Sequence, residues 1–449
     1  MSQDASSTDS ATPVQPAAPP LAPSSTRFVG EIPPLMRDRA FWGMGVTQFL
    51  GAFNDNLFKQ LLLLLATPAG VALAAGAEDR QGEATIVFGS AFLIFSGFAG
   101  WLADRTSKRT LIIASKMAEI AVMLMGLVAF LYYETFGLTG LFGVLFLMGV
   151  QSAFFGPPKY GILPEMLRDR DLPRANGVFL MFTFVAIIFG TVLAKPFSND
   201  PTTAWRGSII CVAIAIVGTF TSLFVRRVGP ATPNSPLRWS DVLVPPEMIR
   251  LVTREKQLAA ALVVTSSFWL LGGLVVQVVN ALGITQFGLA DKPMIALTAM
   301  VGIGIPFGCV VGGQLSKDRI NPRVVTVGAA GACLCLILLA MPGGNQGQLL
   351  GFWGSLPTLA ILGFFTGMFV VPIQVSLQVL PPPEEKGRMI ALMNQCNFVG
   401  IILSGFVYSA MSGWLNDQGW PSSAGFALCV AIMLPIALFY RPREVQLGG

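Results

Sequence analysis

The ten residues Gly100-Trp101-Leu102-Ala103-Asp104-Arg105-Thr106-Ser107-Lys108-Arg109 form a charged connector between two apolar runs, residues 84–103 and 110–132. Each run is long enough to cross about 30 Å of hydrocarbon as a helix. Arg105, Lys108 and Arg109 favour a cytoplasmic position for the connector, because short cytoplasmic loops carry an excess of basic residues. The stretch therefore predicts two consecutive membrane helices joined on the cytoplasmic side.

The composition of the whole chain agrees with a membrane protein. Of its 449 residues, 53% are hydrophobic and 12% are charged, and the mean hydropathy is +0.66. Soluble domains carry about 25% charged residues. The chain has no histidine, which excludes His-dependent acyltransferases, His-ligated metal sites and His proton relays. The six cysteines lie in apolar stretches, and we expect no metal, no cofactor, no enzyme activity and no nucleic-acid binding.

Twelve apolar runs predict an all-α membrane protein with two six-helix bundles. We predict spans at 41–66, 84–103, 110–132, 138–157, 174–195 and 204–225, then at 258–285, 294–315, 323–341, 352–379, 388–411 and 421–440. The predicted units are a disordered cytoplasmic tail (1–35), an N-terminal bundle (36–226), a central cytoplasmic loop (227–256), a C-terminal bundle (257–441) and a cytoplasmic tail (442–449).

Loop charges orient this arrangement. The loops on the predicted outer side hold only four basic residues, Arg80, Lys195, Arg206 and Lys292. The other loops hold many more, so we expect both termini in the cytoplasm.

The two bundles also resemble each other in sequence. Residues 149–176 and 367–394 both run from a Gly in an even-numbered span to an Asn at the start of the next. Gly-Trp-Leu-Ala-Asp-Arg at 100–105 is echoed by Gly-Gln-Leu-Ser-Lys-Asp-Arg at 313–319. Duplicated halves suit a transporter that works by alternating access with a central site, although a channel could be duplicated too.

A polar patch interrupts the first predicted span. Phe53-Asn54-Asp55-Asn56-Leu57-Phe58-Lys59-Gln60 places an acid and a base, four residues apart, on one face of a helix. An ionised side chain at mid-membrane costs about 2.5–3.5 kcal/mol on insertion scales, so we interpret the patch as a substrate site. The alternative is a structural ion pair between Asp55 and Lys59.

The connector at 100–109 resembles the Gly-x-Leu-Ala-Asp-Arg loop of the major facilitator superfamily, and the resemblance covers about residues 40–440. It implies a twelve-helix transporter. It also implies a gating role for the loop residues Gly100, Asp104, Arg105, Lys108 and Arg109.

Further motifs look like those of the bacterial lysophospholipid transporter branch: Phe-Asn-Asp-Asn at 53–56, Pro-Pro-Lys-Tyr-Gly-Ile-Leu at 157–163 and Ala-Asn-Gly at 175–177. The resemblance implies lysophospholipid flipping, chiefly of lysophosphatidylethanolamine and lysophosphatidylglycerol, across a bacterial inner membrane. The 449 residues contain no acyltransferase domain, so we expect reacylation to need a separate acyltransferase partner. One departure is that the relatives carry an Arg in helix seven, whereas residues 268–280 are uncharged here.

Candidate site residues follow from the chemistry of a phosphoethanolamine head. Asp55 would hold the ammonium group, with Asn56 beside it, and Lys59 or Lys159 would meet the phosphate. Neutral donors would come from the seventh and tenth spans, at Gln277, Asn280, Gln374 and Gln378. Lys116 and Glu119 predict a structural pair on a peripheral helix, and Asn176 and Asn394 either brace helices or line the path.

Two alternatives to lysophospholipid transport stay open. One is a proton-coupled exporter of drugs or other small amphiphiles, with Asp55 or Glu119 as the protonated group. The other is a non-transporting membrane scaffold that recruits a lipid-acylating enzyme. The sequence contains no Gly-x-x-x-x-Gly-Lys-[Ser/Thr] loop, which argues against direct coupling to ATP.

Overall fold

Long helices dominate the computed structural model of this chain, which describes residue 28 and residues 30–66, 80–197, 201–289, 291–343 and 347–447. The N-terminal half contains α1 (Arg39–Ala66), α2 (Gln81–Arg105), α3 (Lys108–Leu131), α4 (Tyr133–Gly161), α5 (Leu172–Ala194) and α6 (Pro201–Ser222). The C-terminal half contains α7 (Lys256–Ala281), α8 (Asp291–Ser316), α9 (Pro322–Ala340), α10 (Gly351–Val379), α11 (Lys386–Asp417) and α12 (Gly425–Phe439).

Eleven helical segments in the described part of the chain are long and apolar enough to cross a membrane. The remaining long helix, α1, has 28 residues and therefore measures about 42 Å, which is also sufficient. Large apolar side chains such as Phe220, Phe307 and Phe406 are more than 60% exposed. Exposure of this kind fits contact with lipid rather than with water. The predicted fold class is confirmed.

The internal duplication seen in sequence reappears in the packing. Within the N-terminal half α1 packs on α5, α2 on α4 and α3 on α6; within the other half α7 packs on α11, α8 on α10 and α9 on α12. The halves meet mainly where α2 lies against α11 and α5 lies against α8. An apolar cluster also joins the halves where the start of α5 meets the end of α10, on the predicted cytoplasmic side; it includes Leu172, Val375 and Val379.

The fourth span differs from the prediction at both ends. The fourth span was predicted to end at residue 157, but α4 continues through Pro157 and Pro158 to Gly161. The helix persists because the proline carbonyls still accept, as shown by the bond from the Ile162 N–H to Pro158 O. At its start, Gly137 has a φ of 58° and breaks the helical geometry, close to the predicted start at 138.

The segments outside the helices are more ordered than the sequence indicated. Most of the predicted tail 1–35 lies outside the described residues, but Leu35 is buried. The predicted central loop 227–256 contains a nine-residue helix, Pro246–Arg254. The predicted tail 442–449 contributes a strand, β2 (Val445–Gln446), which pairs antiparallel with β1 (Arg319–Ile320). Buried backbone N–H and C=O groups need hydrogen-bond partners, and the pairing of β1 with β2 supplies some of these partners.

Candidate functional site

Asp55 lies near the middle of α1, about 24 Å along the helix from Arg39. The Ser152 hydroxyl on α4 lies 2.7 Å from Asp55 Oδ2 and 3.1 Å from Gln151 Oε1. The other carboxylate oxygen, Asp55 Oδ1, is buried and has no hydrogen-bond partner among the described residues. A buried acceptor without a partner costs free energy, so this oxygen is suited to receive a donor from a ligand.

A second buried group extends this cluster towards α3. Glu119 forms an ion pair with Lys116, accepts a hydrogen bond from Asn54 Nδ2 at 2.8 Å, and lies 3.5 Å from Gln151 Nε2. The predicted pair of Lys116 and Glu119 is therefore present, but it belongs to the same network as Asp55 rather than standing apart. We call Asn54, Asp55, Lys116, Glu119, Gln151 and Ser152 the N-half polar cluster.

The cation Lys59 does not pair with Asp55 as the structural alternative required. No ion pair within 4.0 Å joins these two residues in the described part of the chain, and Lys59 Nζ lies 5.5 Å from the centre of the Phe88 ring. Lys159 Nζ lies over Tyr160, 4.6 Å from its ring centre. Asn56 Nδ2 donates back to Ala52 O at 2.7 Å. A cation–π contact does not supply a counter-ion, so neither lysine is occupied by an ion pair among the described residues.

The predicted neutral donors of the C-terminal half do not join this cluster. Gln277 Nε2 donates to Gly273 O and Ser404 O, and Asn280 Oδ1 accepts from Thr298. These bonds tie α7 to α11 and α8. Gln374 is different, because it is 5% exposed and its Nε2 has no partner among the described residues. Its amide is therefore available to a ligand, unlike that of Gln277.

Asp104 links the predicted gating loop to the opposite half by hydrogen bonds. The Asp104 carboxylate accepts from the Gly387 N–H at 2.7 Å and the Arg388 N–H at 3.1 Å, at the start of α11. The Arg388 side chain lies 3.4 Å from the same carboxylate. A carboxylate at a helix N-terminus is stabilised by the unpaired N–H groups and the helix dipole. Gly100 allows the approach, because a Cβ there would lie 2.6 Å from Ala391 Cβ.

The basic residues of the loop have other partners. Arg105 is exposed and donates to Ser235 O of the central loop, and Arg109 donates to Leu223 O. Lys108 is fully buried and forms a 2.6 Å ion pair with Glu165. These three residues therefore brace the N-terminal half and its loop rather than reaching across the interface.

The repeat-related asparagines both lie at the interface. Asn176 on α5 and Gln378 on α10 are fully buried and exchange two hydrogen bonds of 2.8 Å. Asn394 on α11 lies against Gly156 of α4, where a Cβ would come within 2.5 Å of its amide nitrogen. Gln378 was predicted to contact substrate, but its amide is used between the halves. We call the contacts of Asp104 with α11 and of Asn176 with Gln378 the inner gate.

Several residues of these sites were not predicted. Gln151 and Ser152 were visible as a polar pair inside the fourth span, and that signal could have identified them. Glu247 was assigned to a loop, yet its carboxylate bonds both Arg238 and Arg388 at 2.9 Å. Its role depends on a contact across 141 positions of sequence, which no local pattern indicates.

Comparison with known proteins gives a consistent result. The sequence model of the Major Facilitator Superfamily matches residues 44–405. The lysophospholipid transporter LplT of Escherichia coli O1:K1 / APEC is 29% identical over 425 residues, which cover 90% of this chain and 98% of LplT.

Solved structures show the same fold. The crystal structure of a variant of the E. coli fucose:proton symporter FucP has a TM-score of 0.69 at 15% identity and covers 90% of this chain and 99% of its own. The crystal structure of the human organic anion transporter MFSD10 has a TM-score of 0.70, with the same identity and the same coverage.

Proposed function

Because the chain belongs to the Major Facilitator Superfamily, we propose that it flips lysophospholipids across a bacterial inner membrane by alternating access. The observation that carries the proposal is the N-half polar cluster around Asp55, in the middle of α1. The relatives named lysophospholipid transporter, aligned over 90% of the chain, supply the substrate class. Lysophosphatidylethanolamine and lysophosphatidylglycerol are the proposed substrates, and a separate acyltransferase would reacylate them.

Charge gives the cluster its proposed preference for an ammonium group. With Lys116 paired to Glu119, Asp55 is the acidic residue of the cluster that has no ion pair among the described residues. Its free oxygen, Oδ1, can accept a charge-assisted hydrogen bond from the ethanolamine nitrogen. Lys59 and Lys159, held over aromatic rings, are the proposed partners of the phosphate. Gln374 would add a neutral donor from α10.

The inner gate supports alternating access as the working mechanism. It is closed in this structure, and it lies at the predicted cytoplasmic ends of α2, α5, α10 and α11. Both chain termini are proposed to be on that side, as the loop charges predict. Release of the substrate to the cytoplasm would require these contacts to break while the halves rotate apart around the site.

The test is flipping of labelled lysophosphatidylethanolamine by the purified full chain in phosphatidylcholine vesicles, compared with protein-free vesicles. We expect protein-dependent flipping that is lost in Asp55→Asn. The matched control is Asp417→Asn, which removes an exposed carboxylate at the end of α11 and should leave flipping unchanged. Absence of flipping by the unmodified chain would overturn the substrate, and normal flipping by Asp55→Asn would overturn only the site.

A proton-coupled exporter of small amphiphiles is the second candidate. The observation in its favour is that two carboxylates, Asp55 and Glu119, share one buried network with the cation Lys116. Groups coupled in this way can exchange protons in response to a ligand. Transport of a drug-like amphiphile that stops when an ionophore collapses the proton gradient, without flipping of lysolipid, would favour this candidate.

A further inference from the structure

The predicted cytoplasmic face contains a groove of about 630 Å³ between the two halves. Its basic lining residues are Arg168 and Arg170 before α5, Arg174 in the first turn of α5, and Lys317 just after α8. Among the described residues that line it, Asp171 and Asp318 are the acidic ones, so four cations against two carboxylates leave a net charge of +2. The volume lies within the range of roughly 300–1,000 Å³ that small-molecule sites occupy.

Three of the four cationic side chains have no hydrogen-bond or ion-pair partner in the part of the protein that the structure describes. The exposed side chains of Arg170, Arg174 and Lys317 make no hydrogen bond or ion pair with the residues that the structure describes. Arg168 donates to Ile32 O of the segment before α1. Lys108, by contrast, forms a 2.6 Å ion pair with Glu165, which closely precedes Arg168 in the sequence. The groove therefore holds unneutralised positive charge beside a gate in which the other charges are paired.

Lys317 has an unusual backbone for its residue type. Its φ is 52°, in the left-handed region that favours glycine and asparagine. The sequence therefore places a cation where backbone preference alone would select a smaller residue. Backbone outliers of this kind mark candidate functional positions.

We propose that this groove binds a phosphate group that bridges the two halves. Guanidinium groups match phosphate oxygens with paired hydrogen bonds, and an ammonium adds a point charge. The ligand would touch Arg170 and Arg174 of one half and Lys317 of the other only while the inner gate is closed. Binding would therefore favour the closed gate, because a ligand shifts an equilibrium towards the state it binds better. The phosphate can belong to an anionic phospholipid of the same leaflet or to a soluble ion.

The two sources are separated with the full chain in phosphatidylcholine nanodiscs. One series replaces increasing fractions of the lipid by phosphatidylglycerol, and a second adds inorganic phosphate against chloride at equal ionic strength. The melting temperature reports binding, since a ligand of the folded state raises it with concentration. Hydrogen exchange in residues 376–390 reports the inner gate. We expect a saturable rise in melting temperature together with slower exchange, in the lipid series if the source is lipid and in the phosphate series if it is soluble.

Charge-matched variants decide whether the groove is responsible. R170Q/R174Q/K317Q should weaken the apparent affinity at least about tenfold, since a basic residue near an anionic surface contributes about 1 kcal/mol. The control R250Q/R254Q/K256Q removes the same charge from exposed positions outside the groove and should leave the affinity unchanged. D171N/D318N removes the acidic groups of the groove and should strengthen binding, which keeps the test informative if the first variant does not fold.

Three results would overturn the proposal. The first is the absence of a saturable effect in both series. The second is an equal loss in the groove variant and the control variant, which would indicate general electrostatic attraction. The third is unchanged affinity in D171N/D318N. All three can occur whether or not the protein flips lysolipids, so the outcome is independent of the proposed function.

Discussion

The side-chain amides of Asn176 on α5 and Gln378 on α10 are joined by two reciprocal hydrogen bonds of 2.8 Å. Both residues are fully buried, and Asn176 also donates to Leu172 O at 3.0 Å. Two buried amides that satisfy each other favour this arrangement, because a buried amide that loses its partner costs free energy. The pair therefore stabilises one register of α5 against α10, which is the register present when the inner gate is closed.

Asn176→Ala should open the inner gate more often. It leaves the Gln378 amide buried without its partner, which costs about 1–3 kcal/mol. We expect hydrogen exchange near the start of α5 and the end of α10 to rise by about fivefold to a hundredfold, measured by mass spectrometry in nanodiscs. N176A/Q378A removes both amides and should exchange more slowly than the single variant. Equal exchange in the single variant and the unmodified chain would show that the pair does not hold the gate.

Gly100→Ala should separate α2 from α11. Its Cβ would lie 2.6 Å from Ala391 Cβ and 2.9 Å from Arg388 Cα, and backbone at that distance cannot move aside alone. We expect a lower melting temperature and faster exchange at the start of α11. Gly143→Ala in α4 is the matched control, because its added Cβ would meet no atom of the described residues within 4 Å apart from the backbone of its own helix. That control should be neutral or stabilise by about 0.5–1 kcal/mol, and a similar effect of both substitutions would contradict the packing argument.

Asp104 and Arg105 should differ in their effect on the gate, although the family resemblance implies gating for both. Asp104→Asn weakens charge-assisted bonds to two N–H groups of α11, whereas Arg105→Gln removes an exposed side chain that bonds Ser235 O. Bonds to charged groups contribute about 1.5–3 kcal/mol, and exposed contacts much less. We expect at least tenfold faster exchange at residues 386–390 in D104N and less than a threefold change in R105Q. A reversed order would place the gate on Arg105.

Hydropathy predicted most of the fold, because each span must satisfy its own backbone and be apolar over a fixed length. The first span was predicted at 41–66 and α1 is Arg39–Ala66. The prediction was less good at α4, where prolines near a helix end were taken as its end. The helix Pro246–Arg254 was missed because its nine residues are too few to cross a membrane and polar residues interrupt its apolar ones.

The sequence predicted the residues of the candidate site on α1 but not their contacts with other helices. Asp55 stood out because a charge inside an apolar span is costly. Ser152 belongs to a visible polar pair with Gln151, but its contact with Asp55 depends on the rotation and register of two helices, which no single segment encodes. Gln277 and Asn280 were chosen by the same polar signal as Asp55, yet they hydrogen-bond neighbouring helices. Polarity therefore identifies candidates, and only packing separates ligand groups from helix–helix contacts.

The ion pair of Lys116 and Glu119 allows stability and transport to be measured separately. Glu119→Gln leaves the fully buried Lys116 without its counter-charge, and breaking a buried pair costs about 3–5 kcal/mol. We therefore expect a large fall in melting temperature. K116M/E119Q removes both charges and keeps the acceptor for Asn54, so its melting temperature should recover most of the loss.

Lysolipid flipping by K116M/E119Q then reports the role of the pair. If Lys116 and Glu119 only hold α3 in place, the stable double variant should flip at the rate of the unmodified chain. We expect instead a loss of at least about tenfold. Glu119 bonds Asn54 and Gln151, which lie next to Asp55 in the polar cluster, and the double variant removes the charge of that network. Full activity in a stable K116M/E119Q protein would confine the functional charge of this half to Asp55 and the two lysines over aromatic rings.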